Sequence, residues 1–198
     1  MKTNIKKPVE LPGINNIAIS GRIGTGKSTL AIHIAEALNW HLIDAGKVFR
    51  KIAKDQDFNI KHTDKIPETL DRAYEDKTLE TLENGYNNVV QSHLAGYMAR
   101  DIKHVFKILV VCEKNGMDDL DIRIDRIMNR DLIGSEDAKA DAKQREESLV
   151  NKFRRLYVNN DQNWVYWDPK YFNLIVNTYS LNQKEALDFV LNHLLGKA

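Results

Sequence analysis

Gly21-Arg22-Ile23-Gly24-Thr25-Gly26-Lys27-Ser28 reads G-x-x-x-x-G-K-S, and what flanks it decides the fold. Before it, Ile14-Asn15-Asn16-Ile17-Ala18-Ile19-Ser20 predicts a short buried strand. After it, Leu30, Ala31, Ile34, Ala35 and Leu38 recur at helical spacing. Strand, glycine-rich turn and helix together make a phosphate-binding loop: glycines let the backbone wrap an anion with its N–H groups inward, and the helix N-terminus adds its dipole. In that arrangement Lys27 reaches the outer phosphates and the Ser28 hydroxyl is the expected magnesium ligand.

Outward from the loop, strand and helix patterns alternate, which predicts a parallel sheet with helices on both faces. A second strand is expected at Trp40-His41-Leu42-Ile43, ending at Asp44-Ala45-Gly46. Ligands bind at the carboxyl ends of strands in such sheets. A helix should begin near Lys47 and carry Phe49-Arg50, and another, marked by Leu70, Tyr74, Leu79 and Leu82, should stop at Asn84-Gly85. Further strands are expected at 88–91, 106–112 and 174–177. Asp121 to Tyr157 reads as helix broken at Gly134-Ser135, and a last helix is expected to start in a capping box at Ser180 and Gln183.

Composition excludes several classes. The chain has 198 residues, enough for one domain with inserted segments, and its net charge of +1 argues against broad attraction to nucleic acid or acidic membranes. One cysteine, Cys112, in an apolar run reads as a core thiol and supports neither a disulfide framework nor a cysteine-rich metal site. Residues 1–10 carry three lysines with no apolar stretch behind them, so neither signal peptide nor membrane anchor is expected. A cytoplasmic monomer is the expectation. No N-K-x-D guanine signature occurs, and the D-x-x-G match at Asp131-Leu132-Ile133-Gly134 follows an arginine-rich helix instead of a strand.

Two basic groups stand out. Arg123, Arg126 and Arg130 share one face of a helix, and Arg145-Glu146-Glu147 is followed by Lys152, Arg154 and Arg155. Each reads as a solvated charged face or as cations for phosphoryl transfer, which needs positive charge around the migrating group.

These stretches carry a resemblance. Gly21 to Thr29, Asp44-Ala45-Gly46-Lys47-Val48-Phe49-Arg50, His93-Leu94-Ala95-Gly96-Tyr97-Met98, Arg145-Glu146 and Leu174-Ile175-Val176-Asn177-Thr178 together resemble the cytidylate kinases, in their short archaeal form. The resemblance implies a P-loop kinase fold, α/β, with a five-stranded parallel sheet flanked by helices, a monophosphate-binding insertion at about 47–86 and a lid at about 130–157. It implies transfer of a phosphoryl group from ATP, with magnesium, to CMP or dCMP. ATP would lie on Gly21, Arg22, Ile23, Gly24, Thr25, Gly26, Lys27, Ser28 and Thr29, with Arg126 near the adenine. Asp44, Ala45, Gly46, Arg50 and His93 would hold the acceptor, and Lys27, Arg130, Arg145 and Lys152 would surround the transferred group.

The chain also departs from the family. Gln91-Ser92-His93 replaces the usual E-G-R, which removes a carboxylate near the metal and exchanges a permanent cation for a histidine with an ordinary pKa of ~6.5. Leu149 and Val150 stand where polar residues are common, and the stretch from Asn159 to Tyr171 is longer than expected. A shikimate or dephospho-coenzyme A kinase is the alternative enzyme. A nucleotide-binding module that has lost catalysis is the alternative outside enzymes.

Overall fold

The computed structural model describes residues 7–48, 67–132 and 134–196. Five parallel strands, β1 (Asn16–Gly21), β2 (His41–Asp44), β3 (Asn88–Gln91), β4 (Val105–Val111) and β7 (Leu174–Asn177), lie in the order β2-β3-β1-β4-β7. Each falls within two residues of the expected stretch. Because the chain leaves β1 first toward β2 and β3 and later toward β4 and β7, the loop after β1 sits where the winding reverses. Such a switch point leaves a crevice at the carboxyl edge.

The side-chain alternation of β1 sorts the core. Ile17 and Ile19 face α1 (Lys27–Leu38) and α6 (Gln183–Leu194), packing with Leu30, Ile34, Leu38, Ala186, Val190 and Leu194. Ala18 faces the other way, against Leu82 of α2 (Glu68–Asn84) and Ala95 and Ala99 at α3 (Ala95–Met98). Buried aliphatics of this size contribute roughly 1.5–3 kcal/mol each, so the two layers clamp the strand that carries the loop. α3 comes unusually close to its neighbours: a Cβ on Gly96 would stand 2.1 Å from the Phe172 ring, which is why the L-A-G segment needs its glycine. Cys112 is buried, as expected for a core thiol.

A third cluster covers the carboxyl edge. α4 (Leu120–Asp131) and α5 (Ser135–Tyr157) bring Ile124, Ile127, Leu149, Val150 and Phe153 onto Ile23, Leu94, Tyr97, Trp164 and Tyr166. Two departures from the family share this one cause. Leu149 and Val150 are apolar because they are core, and the long 159–171 stretch supplies the aromatic rings they pack on.

One hairpin was not expected from sequence, and two local expectations differ from what is found. A hairpin, β5 (Glu113–Lys114) and β6 (Met117–Asp118), follows β4; its Asn115-Gly116 turn, at φ 53° and 77°, is the left-handed pair that favours these two residues. The last helix is capped by Asn182, not Ser180: Asn182 accepts from Lys184 and Glu185 N–H, and Glu185 accepts from Asn182 N–H at 2.8 Å. Residues 178–180 form a turn first, so the helix starts later. The helix expected near Lys47 begins at residue 45, because Asp44 Oδ1 accepts from Lys47 N–H at 3.1 Å.

Candidate active site

Gly24 and Gly26 take φ of 80° and 88°, which side chains resist, and these two residues turn the backbone between β1 and α1. Gly21 is required by closeness instead: a Cβ there would stand 2.4 Å from the Val110 carbonyl of β4. Inside the loop Thr25 Oγ1 donates to the Arg22 carbonyl at 2.9 Å, and Lys27 Nζ donates to the same oxygen at 3.2 Å. Lys27 is therefore folded back along the loop it serves. Burial, followed by the fields of Arg145, Arg130 and Arg123, pulls its pKa down to about 7, with Asp44 acting in the opposite direction.

Parallel register brings the second group of side chains to the same edge. Asp44 of β2 lies opposite Gln91 of β3, and Gln91 Oε1 accepts from Ser28 Oγ at 3.4 Å. Ser28, Gln91 and Asp44 thus offer hydroxyl, amide and carboxylate oxygens at one place. This hard-oxygen set suits magnesium, which takes few protein ligands and completes its shell with phosphate and water. The described residues hold no group of three His, Cys, Asp or Glu side chains that could bind a metal without such help.

On the α4 side of the loop lies a cavity of about 470 Å³, lined among others by Gly26, Lys27, Thr29, His33, Arg126, Asn129, Arg130 and Leu181. Arg126 is fixed across it. Its guanidinium donates to Thr178 Oγ1 and to the Thr178 carbonyl, each at 2.8 Å, while Thr178 Oγ1 donates to the Thr25 carbonyl at 2.8 Å. Thr178 thereby couples the end of β7 to both the loop and the arginine. Sequence reasoning assigned no role to Thr178, His33, Asn129 or Leu181; a position just past the carboxyl end of the last strand was the available signal for Thr178.

Neither reading of Arg123, solvated face or phosphate cation, matches the structure. The residue is fully buried, with Nε on the Ile23 carbonyl at 2.7 Å and its amino groups on Asp118 and Glu146. Arg22 joins the same pair of carboxylates and lies over the Trp167 ring, 4.8 Å from its centroid. Arg22 and Ile23 consequently turn their side chains toward α4 and α5 and can meet an anion only through backbone. Glu146 bridges Arg22 on the loop and Arg123 on α4, and so holds α5 where its neighbour Arg145 acts on Lys27 and His93.

Lys152, expected among the cations around the transferred group, is 3% exposed and ion-paired with Asp71 of α2; the apolar residues around it on α5 draw that face into the interior. His93 is corrected in its charge. Nδ1–H donates to the Gly21 carbonyl at 3.2 Å, the ring meets Tyr166 edge-on, and burial together with Lys27 and Arg145 holds its pKa well below the usual 6.5. These causes favour the neutral ring over the part-time cation expected from sequence. Asp44 is buried and caps the helical turn at 45–48 that contains Ala45 and Gly46. Arg130 lines the cavity and pairs with Asp131. Arg50 lies outside the described residues.

A phosphate loop at the switch point of a parallel sheet, with cations gathered on its open side, defines a P-loop kinase. A family model described as the cytidylate kinase-like family matches residues 16–180. A cytidylate kinase of Saccharolobus islandicus is 30% identical over 181 residues, covering 90% of this chain and 89% of that one. A cytidylate kinase of Pyrobaculum islandicum is 30% identical over 182 residues, covering 90% and 91%. Among solved structures, shikimate kinase from Acinetobacter baumannii in complex with shikimate is 15% identical, with a TM-score of 0.55 over 92% of this chain and 94% of that one, a likeness of fold. The chain belongs to the cytidylate kinase-like family and is a phosphotransferase.

Proposed function

We propose that this chain transfers the γ-phosphoryl group of ATP to CMP or dCMP. The observation that carries the reading is the cavity beside the loop, lined by Lys27, Arg126 and Arg130, with the field of Arg145 bearing on the same lysine. Phosphoryl transfer asks little covalent chemistry of a protein; it asks for positioning and for positive charge where negative charge moves. The bond from the γ-phosphorus to its bridging oxygen breaks, and one forms to an oxygen of the acceptor phosphate. Lys27 follows the charge onto the leaving oxygen, and Arg145 and Arg130 neutralise the group in flight. The adenine is assigned to the cavity beside Arg126, while Asp44, the 45–48 turn, Arg50 and His93 are assigned to the acceptor.

Ser28, with Gln91 and Asp44 behind it, would hold magnesium, which supplies charge neutralisation on the phosphates. Residues 47–86 are read as the acceptor-binding insertion and 130–157 as the lid, whose closure keeps water from the γ-phosphate. The acceptor assignment is supported by the curated relatives, which are named cytidylate kinase. A coupled ADP-release assay with CMP, dCMP, UMP, AMP, GMP and shikimate tests it. Turnover above the ATPase background is expected with CMP or dCMP; turnover confined to another acceptor would leave only the kinase class standing.

A further inference from the structure

The cavity beside the loop is closed by close approach of α4 to two of the loop glycines. A Cβ on Gly24 would stand 2.6 Å from the Arg123 carbonyl, and one on Gly26 would meet Arg126 Nη1 and both branches of Thr178 at 3.9 Å. Arg126 and Thr178 thus lie directly over the glycine that precedes α1, and both line the cavity.

Thr178 is placed by the sheet. It follows β7, is 8% exposed, and its N–H donates to the Val111 carbonyl of β4 at 2.9 Å. Asn177 before it is held as firmly: its side chain donates to the Glu113 carbonyl at 2.7 Å and accepts from Glu113 N–H at 3.0 Å and Tyr179 N–H at 3.1 Å. The Thr178 hydroxyl has one proton and two carbonyls in reach, Thr25 at 2.8 Å and Val111 at 3.1 Å, and the nearer belongs to the loop. Its lone pairs are left for Arg126 Nη1 at 2.8 Å, while the Thr178 carbonyl takes Nη2, also at 2.8 Å. One residue therefore grips both amino groups of the arginine. A guanidinium held at two points keeps one plane, whereas a single bond would let it swing.

We propose that Thr178 is the positioning residue of the donor site: its hydroxyl and carbonyl hold the Arg126 guanidinium in one plane as a platform for the donor base, and its bond to Thr25 ties that platform to the loop under the phosphates. This rests on the proposed function above, in which the cavity takes the adenine. A planar cation attracts the face of a π ring, and the attraction depends on orientation. A side chain already fixed in that orientation loses little further freedom when the base arrives. Thr178 acts through Arg126 and takes no part in phosphoryl transfer, so its hydroxyl matters to the donor and not to the acceptor.

The test is calorimetric binding of ADP and of inorganic tripolyphosphate to wild type, Thr178→Ser, Thr178→Val and Arg126→Lys. Tripolyphosphate fills the loop without a base, and ADP brings the base to the cavity. Thr178→Ser keeps the hydroxyl and should bind both as wild type does. Thr178→Val keeps the shape without the hydroxyl; ADP should weaken about tenfold, the loss of one hydrogen bond to a charged group, and tripolyphosphate by less than about threefold. Arg126→Lys keeps the charge but has no fork to be gripped, and should show the same pattern. It alters only the cavity wall, so it reads the same interaction should Thr178→Val not fold. Equal losses of ADP and tripolyphosphate in Thr178→Val would make the residue a support of the loop alone and overturn the inference. Wild-type ADP affinity in Thr178→Val or Arg126→Lys, or a loss in Thr178→Ser equal to that in Thr178→Val, would overturn it as well. A wild type that holds ADP yet phosphorylates neither CMP nor dCMP overturns the proposed acceptor and leaves this inference in place; one that binds no ADP overturns both.

Discussion

Lys27 holds its proton weakly, near a pKa of about 7, since its place in the loop takes it out of water and sets it among arginines. In the unfolded chain the same group titrates near its ordinary 10.5. The folded state therefore gains stability from this group as pH rises from about 7 toward 10.5, and loses it as pH falls through that window. A triphosphate reverses the balance. At pH 8, nucleotide binding should take up about one proton, seen as a binding enthalpy that changes with the ionisation enthalpy of the buffer; identical enthalpies in two such buffers would contradict it. Lys27→Met should abolish that uptake and lower kcat by at least ~10²–10³-fold. His93 behaves oppositely to its sequence expectation. With its pKa held well below the usual 6.5 by burial and by Lys27 and Arg145, acceptor KM should show no histidine-dependent rise between pH 6.5 and 8. His93→Arg should melt at lower temperature than wild type, because it adds a permanent cation beside Lys27 and Arg145 against the Tyr166 ring.

At the scale of elements, α5 is fastened to α2 by more than apolar packing. Lys152 pairs with Asp71, Arg155 with Glu68, and Arg72 reaches the Leu156 carbonyl at 3.5 Å. The first of these is buried and the other two lie near the surface, so their energies differ. Lys152→Met leaves a buried carboxylate alone and should cost about 3–5 kcal/mol, whereas Lys152→Met with Asp71→Leu should recover much of it. Urea denaturation of the two variants and of Asp71→Leu separates this from a direct catalytic role: if Lys152→Met kept its stability but lost kcat, the lysine would belong with the phosphates. Gly96→Ala should cost roughly 1–3 kcal/mol, since the added methyl meets a ring of Phe172 held between α3 and the sheet.

For the whole molecule, the loop is joined to every layer around it: to β4 through Gly21 and Val110, to β7 through Thr25 and Thr178, to α4 through Ile23 and Arg123, and to α5 through Arg22 and Glu146. Ligand held there should stabilise the fold as a unit. A nonhydrolysable ATP analogue at about 100 times its Kd should add ~2.7 kcal/mol to the unfolding free energy, read as one shifted thermal transition. Two separate transitions, only one of them moving, would show that α4 and α5 unfold independently of the sheet.

The loop, the five strands and the apolar faces of α1 and α6 were legible from sequence because each is written in neighbouring residues: glycine spacing for the turn, β-branched runs for buried strands, helical spacing for one-sided burial. The hairpin around Asn115-Gly116 was not read, because two-residue strands leave almost no periodicity around the turn. What tertiary structure alone decided is the fate of the charges. Arg126 lines the cavity while Arg123, one turn earlier on the same helix, is buried between Asp118 and Glu146, and Lys152 is spent on Asp71, 81 positions away in sequence. An arginine or lysine has the same letter whether it faces water, phosphate or a carboxylate. Its role, and whether His93 carries a charge at all, is set by burial and by partners that only folding brings within reach.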